Sequence, residues 1–157
     1  METPQWSERT ELLLGKEKLE RLNSAHVLVV GLGGVGAYAA EMICRAGVGR
    51  MTVADSDTVS ESNINRQLIA LHSTVGKSKA ALVAEIELTV VEEYIRDEMT
   101  YRLLDAAKYD YIVDAIDTLS PKAALIKGAL DRGIPIVSAM GSGAKTCLLY
   151  TSPSPRD

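Results

Sequence analysis

Short runs of apolar, β-branched residues alternate along this chain with longer stretches that mix apolar and charged positions. Thr10 to Asn23 carries Leu12, Leu13, Leu19 and Leu22 among charges, which predicts an amphipathic helix interrupted at Gly15. Val27 to Val30 is wholly apolar, as in a strand buried on both faces. A glycine-rich turn follows, then a predicted helix from Val35 to Arg45, ended by Gly47 and Gly49. Met51 to Ala54 reads as a second strand, Asn63 to Leu71 as a short helix and Lys77 to Glu85 as a longer one. Leu88 to Val91 reads as a third strand and Tyr101 to Ala107 as helix. Tyr111 to Val113 is a fourth strand ending in Asp114. Pro121 fits a first helical turn, opening a helix that runs to Arg132 and stops at Gly133. Ile134 to Ser138 is a fifth strand.

This alternation implies parallel βαβ units, and hence an α/β fold: a Rossmann-like three-layer sandwich with a mainly parallel sheet. Two places break the pattern. The helix ending near Glu85 runs into the strand at Leu88 with no turn residue between, where a few loop residues are the norm. From Cys147 to Asp157 the sequence changes character, and its Ser-Pro-Ser-Pro portion cannot enter a central strand. The expectation is a fragment whose native sequence ends near Thr146, followed by a non-native tail over 147–157.

Composition narrows the class. The 157 residues are 46 % hydrophobic and 24 % charged, as in one globular domain. With no Phe and one Trp, the core must rest on Val, Ile, Leu and Ala. The net charge is -4 and there is no long basic run, so long-range attraction to nucleic acid is not written into the chain and DNA is not an expected partner. No apolar run reaches the roughly 18 residues that span a bilayer. The N-terminus lacks a signal peptide's apolar core. Cys44 and Cys147 form no CxxC pair, which argues against a zinc ribbon or disulfide framework and fits a reducing cytoplasm. Cys44 falls in the apolar pattern of its helix and reads as core. His26 and His72 stand alone; strand-edge packing and an exposed loop are the expected settings.

The chemistry concentrates after the first strand. Gly31, Gly33, Gly34 and Gly36 lie between a strand and a helix, where backbone N–H groups approach phosphate at a helix N-terminus. The plainer alternative is a tight turn that packs helix on strand. Asp55 ends the second strand, the usual place for a carboxylate that binds a ribose. This much is shared with NAD-dependent oxidoreductases. Asn63, Arg66 and Gln67 would share one face of a helix, and Arg66 offers a planar fork of donors to phosphate. Lys77 and Lys79 follow. Asp114 and Asp117 come after the fourth strand, at the carboxyl edge where open α/β sheets bind ligands, and Asp117 suits Mg²⁺ shared with phosphates. The alternative for each is a solvated surface charge. An NAD enzyme would leave the Ser62–Gln67 block and Lys79 unused.

The stretches GLGGVG, AGVGRMTVADSD, SNINRQ, VGKSKA and VDAID resemble the ThiF/MoeB/HesA-type adenylating enzymes, relatives of the ubiquitin-activating enzyme. The likeness runs over nearly the whole chain up to Thr146. SERTELLLG, the GGVG wording and DAIDTLSPKAALI are most similar to the branch that dehydrates threonylcarbamoyladenosine in tRNA; sulfur-carrier activators usually have Leu where Val35 stands. The family also places an Asn-Pro turn near Glu85, which is missing here, and continues beyond the region present. The resemblance implies an N-terminal helical arm over 1–25 and an ATP-binding adenylation domain over 26–146, incomplete at its C-terminus.

It also implies roles. Gly31, Gly33, Gly34 and Gly36 would lie along the nucleotide, with Gly34 against its phosphates. Asp55 would bind ribose, with Asp57 beside it. Asn63, Arg66 and Lys79 would contact the triphosphate, with Asn65 and Gln67 in the same block, and Asp117 would assist Mg²⁺. Arg9 matches the arginine that family dimers lend to the neighbouring subunit's ATP, against the alternative of an exposed helix-end charge; a homodimer is implied. The implied partners are ATP, Mg²⁺ and tRNA carrying threonylcarbamoyladenosine, with a sulfur-transfer protein as a further partner. The implied reaction adenylates the threonyl carboxylate and then closes a ring. The sulfur-carrier alternative would adenylate the C-terminus of a ubiquitin-like protein.

Overall fold

The first apolar run forms strand β1 (His26–Val30), buried along its whole length, in the computed structural model, which describes residues 4–83, 87–91 and 97–140. Each buried Val or Leu of such a strand stabilises by about 1.5–3 kcal/mol relative to exposure. The glycine turn leads into α3 (Gly36–Ala46), closed by Gly47 at φ 101. Strand β2 (Arg50–Ala54) pairs parallel with β1, Val27 opposite Met51. Strand β3 (Glu87–Val91) pairs parallel with β2. Helix α4 (Asp97–Asp105) precedes β4 (Tyr111–Asp114), and α5 (Leu119–Asp131) precedes β5 (Ile136–Ser138). The five strands lie in the order β3-β2-β1-β4-β5, all parallel.

Alternation along β1 feeds two cores. Val27 and Val29 pack with Met51, Val53 and Val113 against Ala40 and Cys44 of α3. Leu28 and Val30 pack with Ala54 and Ile112 against Leu103 and Leu104 of α4 and Leu125 and Ala129 of α5. Helices therefore cover both faces, giving the expected α/β/α sandwich. His26 opens β1 fully inside, its Nε2 2.9 Å from Thr52 Oγ1 and its ring 4.8 Å from that of Tyr109. His72 is exposed, as expected. Ahead of the sheet, α1 (Glu8–Leu14) and α2 (Lys16–Ser24) are separated at Gly15, whose φ of 83 favours glycine. Among the described residues no helix is long and apolar enough to cross a membrane.

Two expected helices do not form. Over 63–71 there is only a 3-10 turn, Glu61–Asn63, followed by further turns. The Asn63 side chain accepts the Ser60 N–H at 3.1 Å, and Thr74 Oγ1 accepts from Leu71 N–H at 2.8 Å while donating to the Ile69 carbonyl. Side-chain bonds of this kind compete with the helical ladder. Over 77–83 there is again only a 3-10 turn, Ala80–Leu82. Gly76 at φ 84 lets residues 76–79 turn back along 57–59, where Val59 N–H bonds the Lys77 carbonyl and Lys79 N–H the Asp57 carbonyl. Helix α4 starts earlier than the apolar pattern suggested, and β5 two residues later. The junction at Glu85 and the stretch 147–157 lie outside the described residues.

Candidate functional site

Segments leaving the carboxyl ends of β1, β2, β4 and β5 enclose a cleft of ≈ 570 Å³, within the usual range for small-molecule sites. It lies where the chain turns one way from β1 to β2 and the other way to β4, the switch point at which open α/β sheets bind ligands.

The glycines divide the work of the floor. Gly31 sits at φ 88, and a Cβ there would come 2.7 Å from the Ala115 carbonyl oxygen. Gly36 heads α3, and a Cβ there would collide with the Gly31 carbonyl. These two allow the turn and the close approach of helix to strand. Gly33 and Gly34 line the cleft, facing Gln67 and Arg66 respectively. Gly36 does not line it.

Asp55 is buried at the end of β2 and fixes this floor. Its Oδ2 accepts the Leu32 N–H at 2.6 Å and its Oδ1 the Asp57 N–H at 2.7 Å. The carboxylate is therefore a structural tie that also lines the cleft, and each oxygen keeps further acceptor capacity. Asp57, largely exposed, accepts from Lys79 Nζ at 2.9 Å. Lys79 is buried and forms part of the cleft wall.

Asn63 and Gln67 are buried and line the same wall; Arg66 is exposed beside them. With its oxygen taken by Ser60, Asn63 has its amide hydrogens left to donate. The Arg66 guanidinium donates from Nη1 to the Ser62 carbonyl and to Asn65 Oδ1, at 2.9 and 3.0 Å. Asn65 braces Arg66 from outside the cleft lining. Gln67 Oε1 is buried without a hydrogen-bond partner, a desolvated acceptor that a bound molecule or water would satisfy.

Across the cleft stand Ala115 to Thr118, with Ala139 and Met140. Asp117 is exposed here. Among the described residues no group of three His, Cys, Asp or Glu side chains could hold a metal. A lone carboxylate fits Mg²⁺ all the same, because that ion keeps several waters and is commonly bound by one or two carboxylates plus substrate phosphates. Arg9, exposed on α1, does not line the cleft of its own chain.

Sequence reasoning missed Lys122. It is buried on α5, with Nζ 2.6 Å from Oδ2 of the fully buried Asp114. A carboxylate ending a buried strand requires a partner. That requirement was a usable signal, pointing to the first basic residue of the next helix.

Strand order, glycine turn and strand-end acids define a Rossmann-like α/β domain with its site at the carboxyl edge of the sheet. The chain belongs to the ThiF family, whose pattern matches residues 8–155. It is 43 % identical over 146 residues to the tRNA threonylcarbamoyladenosine dehydratase of Bacillus subtilis, covering 88 % of this chain and 57 % of that protein. It is 33 % identical to the molybdopterin-synthase adenylyltransferase of Salmonella typhimurium, covering 88 % of this chain and 59 % of the relative. The crystal structure of the Escherichia coli tRNA threonylcarbamoyladenosine dehydratase in complex with ATP superposes with a TM-score of 0.86 at 37 % identity, over 92 % of this chain and 63 % of the other. The chain thus spans little more than half the length of the relatives it matches.

Proposed function

We propose that this chain is the ATP-binding part of an ATP-dependent tRNA threonylcarbamoyladenosine dehydratase, with 1–25 as a helical arm and 26–146 as the adenylation domain. The observation that carries the reading is the convergence of Asp55, Asn63, Arg66, Gln67, Lys79 and Asp117 on one cleft around the glycine turn. The 43 % identity to a dehydratase favours this branch over the sulfur-carrier activators.

In this reading Gly31, Gly33, Gly34 and Gly36 shape the floor for the nucleotide, and Asp55 accepts from the ribose hydroxyls with Asp57 alongside. Asn63, Arg66 and Lys79 donate to the phosphates, Asn65 holds Arg66, and Gln67 completes the same wall. Asp117 would hold Mg²⁺, which when bound would supply positive charge beside the phosphates. The threonyl carboxylate attacks the α-phosphorus, pyrophosphate leaves, and an acyl-adenylate forms. The carbamoyl group then closes a ring on the activated carbonyl and expels AMP, with net loss of water. The protein needs no side-chain nucleophile; positioning and charge neutralisation suffice. Arg9 serves the partner's site in a homodimer, in the cytoplasm, and a sulfur-transfer protein is a further partner.

The test is incubation with ATP, Mg²⁺ and tRNA carrying threonylcarbamoyladenosine. The expected result is AMP release stimulated by that tRNA and a nucleoside lighter by one water. AMP transfer to a small protein ending in Gly-Gly, with no change in the tRNA, would establish the sulfur-carrier reading instead.

A further inference from the structure

The Asp117 side of the cleft is built on a buried charge that never reaches the cleft. Asp114 closes β4 and is fully buried. Its Oδ1 accepts the Ile116 N–H at 3.0 Å, and its Oδ2 accepts from Lys122 Nζ and from Ser138 Oγ. Lys122 Nζ also donates to Ser138 Oγ at 3.1 Å and to the Ala139 carbonyl at 3.0 Å. All three ammonium hydrogens thus have acceptors. The Ala139 N–H bonds the Asp114 carbonyl at 2.8 Å. One cation therefore joins α5 to the carboxyl ends of β4 and β5. The residues leaving those ends, Ala115 to Thr118 and Ala139 to Met140, form the wall that presents Asp117, while Lys122, Asp114 and Ser138 themselves stay behind it.

We infer that Lys122 is a positioning residue for the metal–triphosphate side of this cleft, acting through Asp114 and Ser138 on the wall that carries Asp117. The inference deepens the ATP reading above and rests on it. An ordinary core ion pair would affect every ligand alike through overall stability. A positioning role separates ligands, because the ribose is held by Asp55 at the end of β2, whereas the wall tied by Lys122 follows β4 and β5.

The experiment is calorimetric titration of the 157-residue chain with AMP and with ATP plus Mg²⁺, for wild type, Lys122→Met, Lys122→Arg and Ser138→Ala, with folding checked by circular dichroism. In Lys122→Met the affinity for ATP with Mg²⁺ is expected to fall at least about tenfold, as for other supports of metal ligands. AMP affinity should stay within about twofold, the tolerance for sites that do not share partners. Lys122→Arg should recover part of the loss, and Ser138→Ala should lose about threefold, the scale of one hydrogen bond. Equal loss for both nucleotides, or no loss in folded Lys122→Met, overturns the inference and leaves the ATP reading standing. If Lys122→Met does not fold, unchanged binding of ATP with Mg²⁺ by Ser138→Ala overturns it. A wild-type chain that binds neither nucleotide overturns the ATP reading and this inference together.

Discussion

The carboxylate of Asp55 accepts the backbone N–H of Leu32 at 2.6 Å, tying the end of β2 to the glycine turn that follows β1. Its other oxygen holds the Asp57 N–H. Asp55→Asn offers one acceptor where two N–H donors need one each, so it should be no better tolerated than Asp55→Ala. Both should lower unfolding free energy by about 1–3 kcal/mol, the cost of orphaning a buried donor. Urea denaturation measures this, and an Asp55→Asn midpoint equal to wild type would contradict it.

The Lys79–Asp57 pair is asymmetric, and its two halves should fail differently. Asp57 is 65 % exposed at its side chain and Lys79 only 6 %. Lys79→Met replaces a buried charge with an apolar side chain of similar volume and leaves a solvated carboxylate, so stability should hold or rise slightly. Asp57→Asn leaves a largely buried cation without its counter-charge and should cost more, about 1–2 kcal/mol. Nucleotide affinity should rank the other way, with Lys79→Met the more damaging. Matching losses of stability in the two variants would refute the asymmetry.

Gly36 and Gly76 separate crowding from backbone strain. An added methyl at Gly36 meets the Gly31 carbonyl and comes 3.0 Å from Ala115 Cβ; at Gly76 nothing lies within 4 Å, but φ is 84. Gly76→Ala should cost about 1–2 kcal/mol from the left-handed backbone alone. Gly36→Ala should cost about 1–3 kcal/mol from overpacking and, by displacing the turn, weaken ATP binding as well. Thermal melts with and without ATP distinguish them; equal ligand-induced shifts in both variants would count against the proposed role of the turn.

Burial lifts the Tyr109 hydroxyl above its ordinary value of 10.0, only partly offset by its hydrogen bond to Thr52. Below that value both folded and unfolded chains hold the proton, so the contribution of Tyr109 is complete. As pH rises further the unfolded chain ionises first, and stability declines until the raised folded value is passed. Tyr109→Phe keeps the ring beside His26 and removes the ionisation. The fall in unfolding free energy above about pH 10 should therefore be shallower in the variant. Parallel pH profiles for the two proteins would be the contrary result.

What the sequence made legible follows from how local each determinant is. β1, β2 and β4 are short, mostly apolar runs bounded by turn residues and alternating with helical stretches, the pattern of central parallel strands. Gly31 and Asp55 directly follow β1 and β2, and Asp117 lies in the loop after β4, so their convergence is readable. The helices expected over 63–71 and 77–85 are not seen among the described residues, where the Asn63 and Thr74 side chains bond the backbone and Gly76 reverses the chain. Lys79 reaches the cleft by that return along 57–59 rather than on a helix face. The need of buried Asp114 for a partner points to Lys122, but its further acceptors Ser138 and Ala139 lie beyond a whole helix, a separation that leaves no periodic trace.

The strand order has a consequence for the nascent chain. β1 is made first yet sits in the middle, and Val27 waits for Tyr111 before its second hydrogen-bonding edge is filled. At ordinary rates of synthesis, the roughly 80 intervening residues take about 4–16 s to emerge. Until then the β4-facing edge of HVLVV has no native partner, and an unpaired edge of this kind recruits other strands. Slowing translation between residues 54 and 111 should therefore lengthen exposure and increase aggregation, whereas slowing it after residue 114 should not.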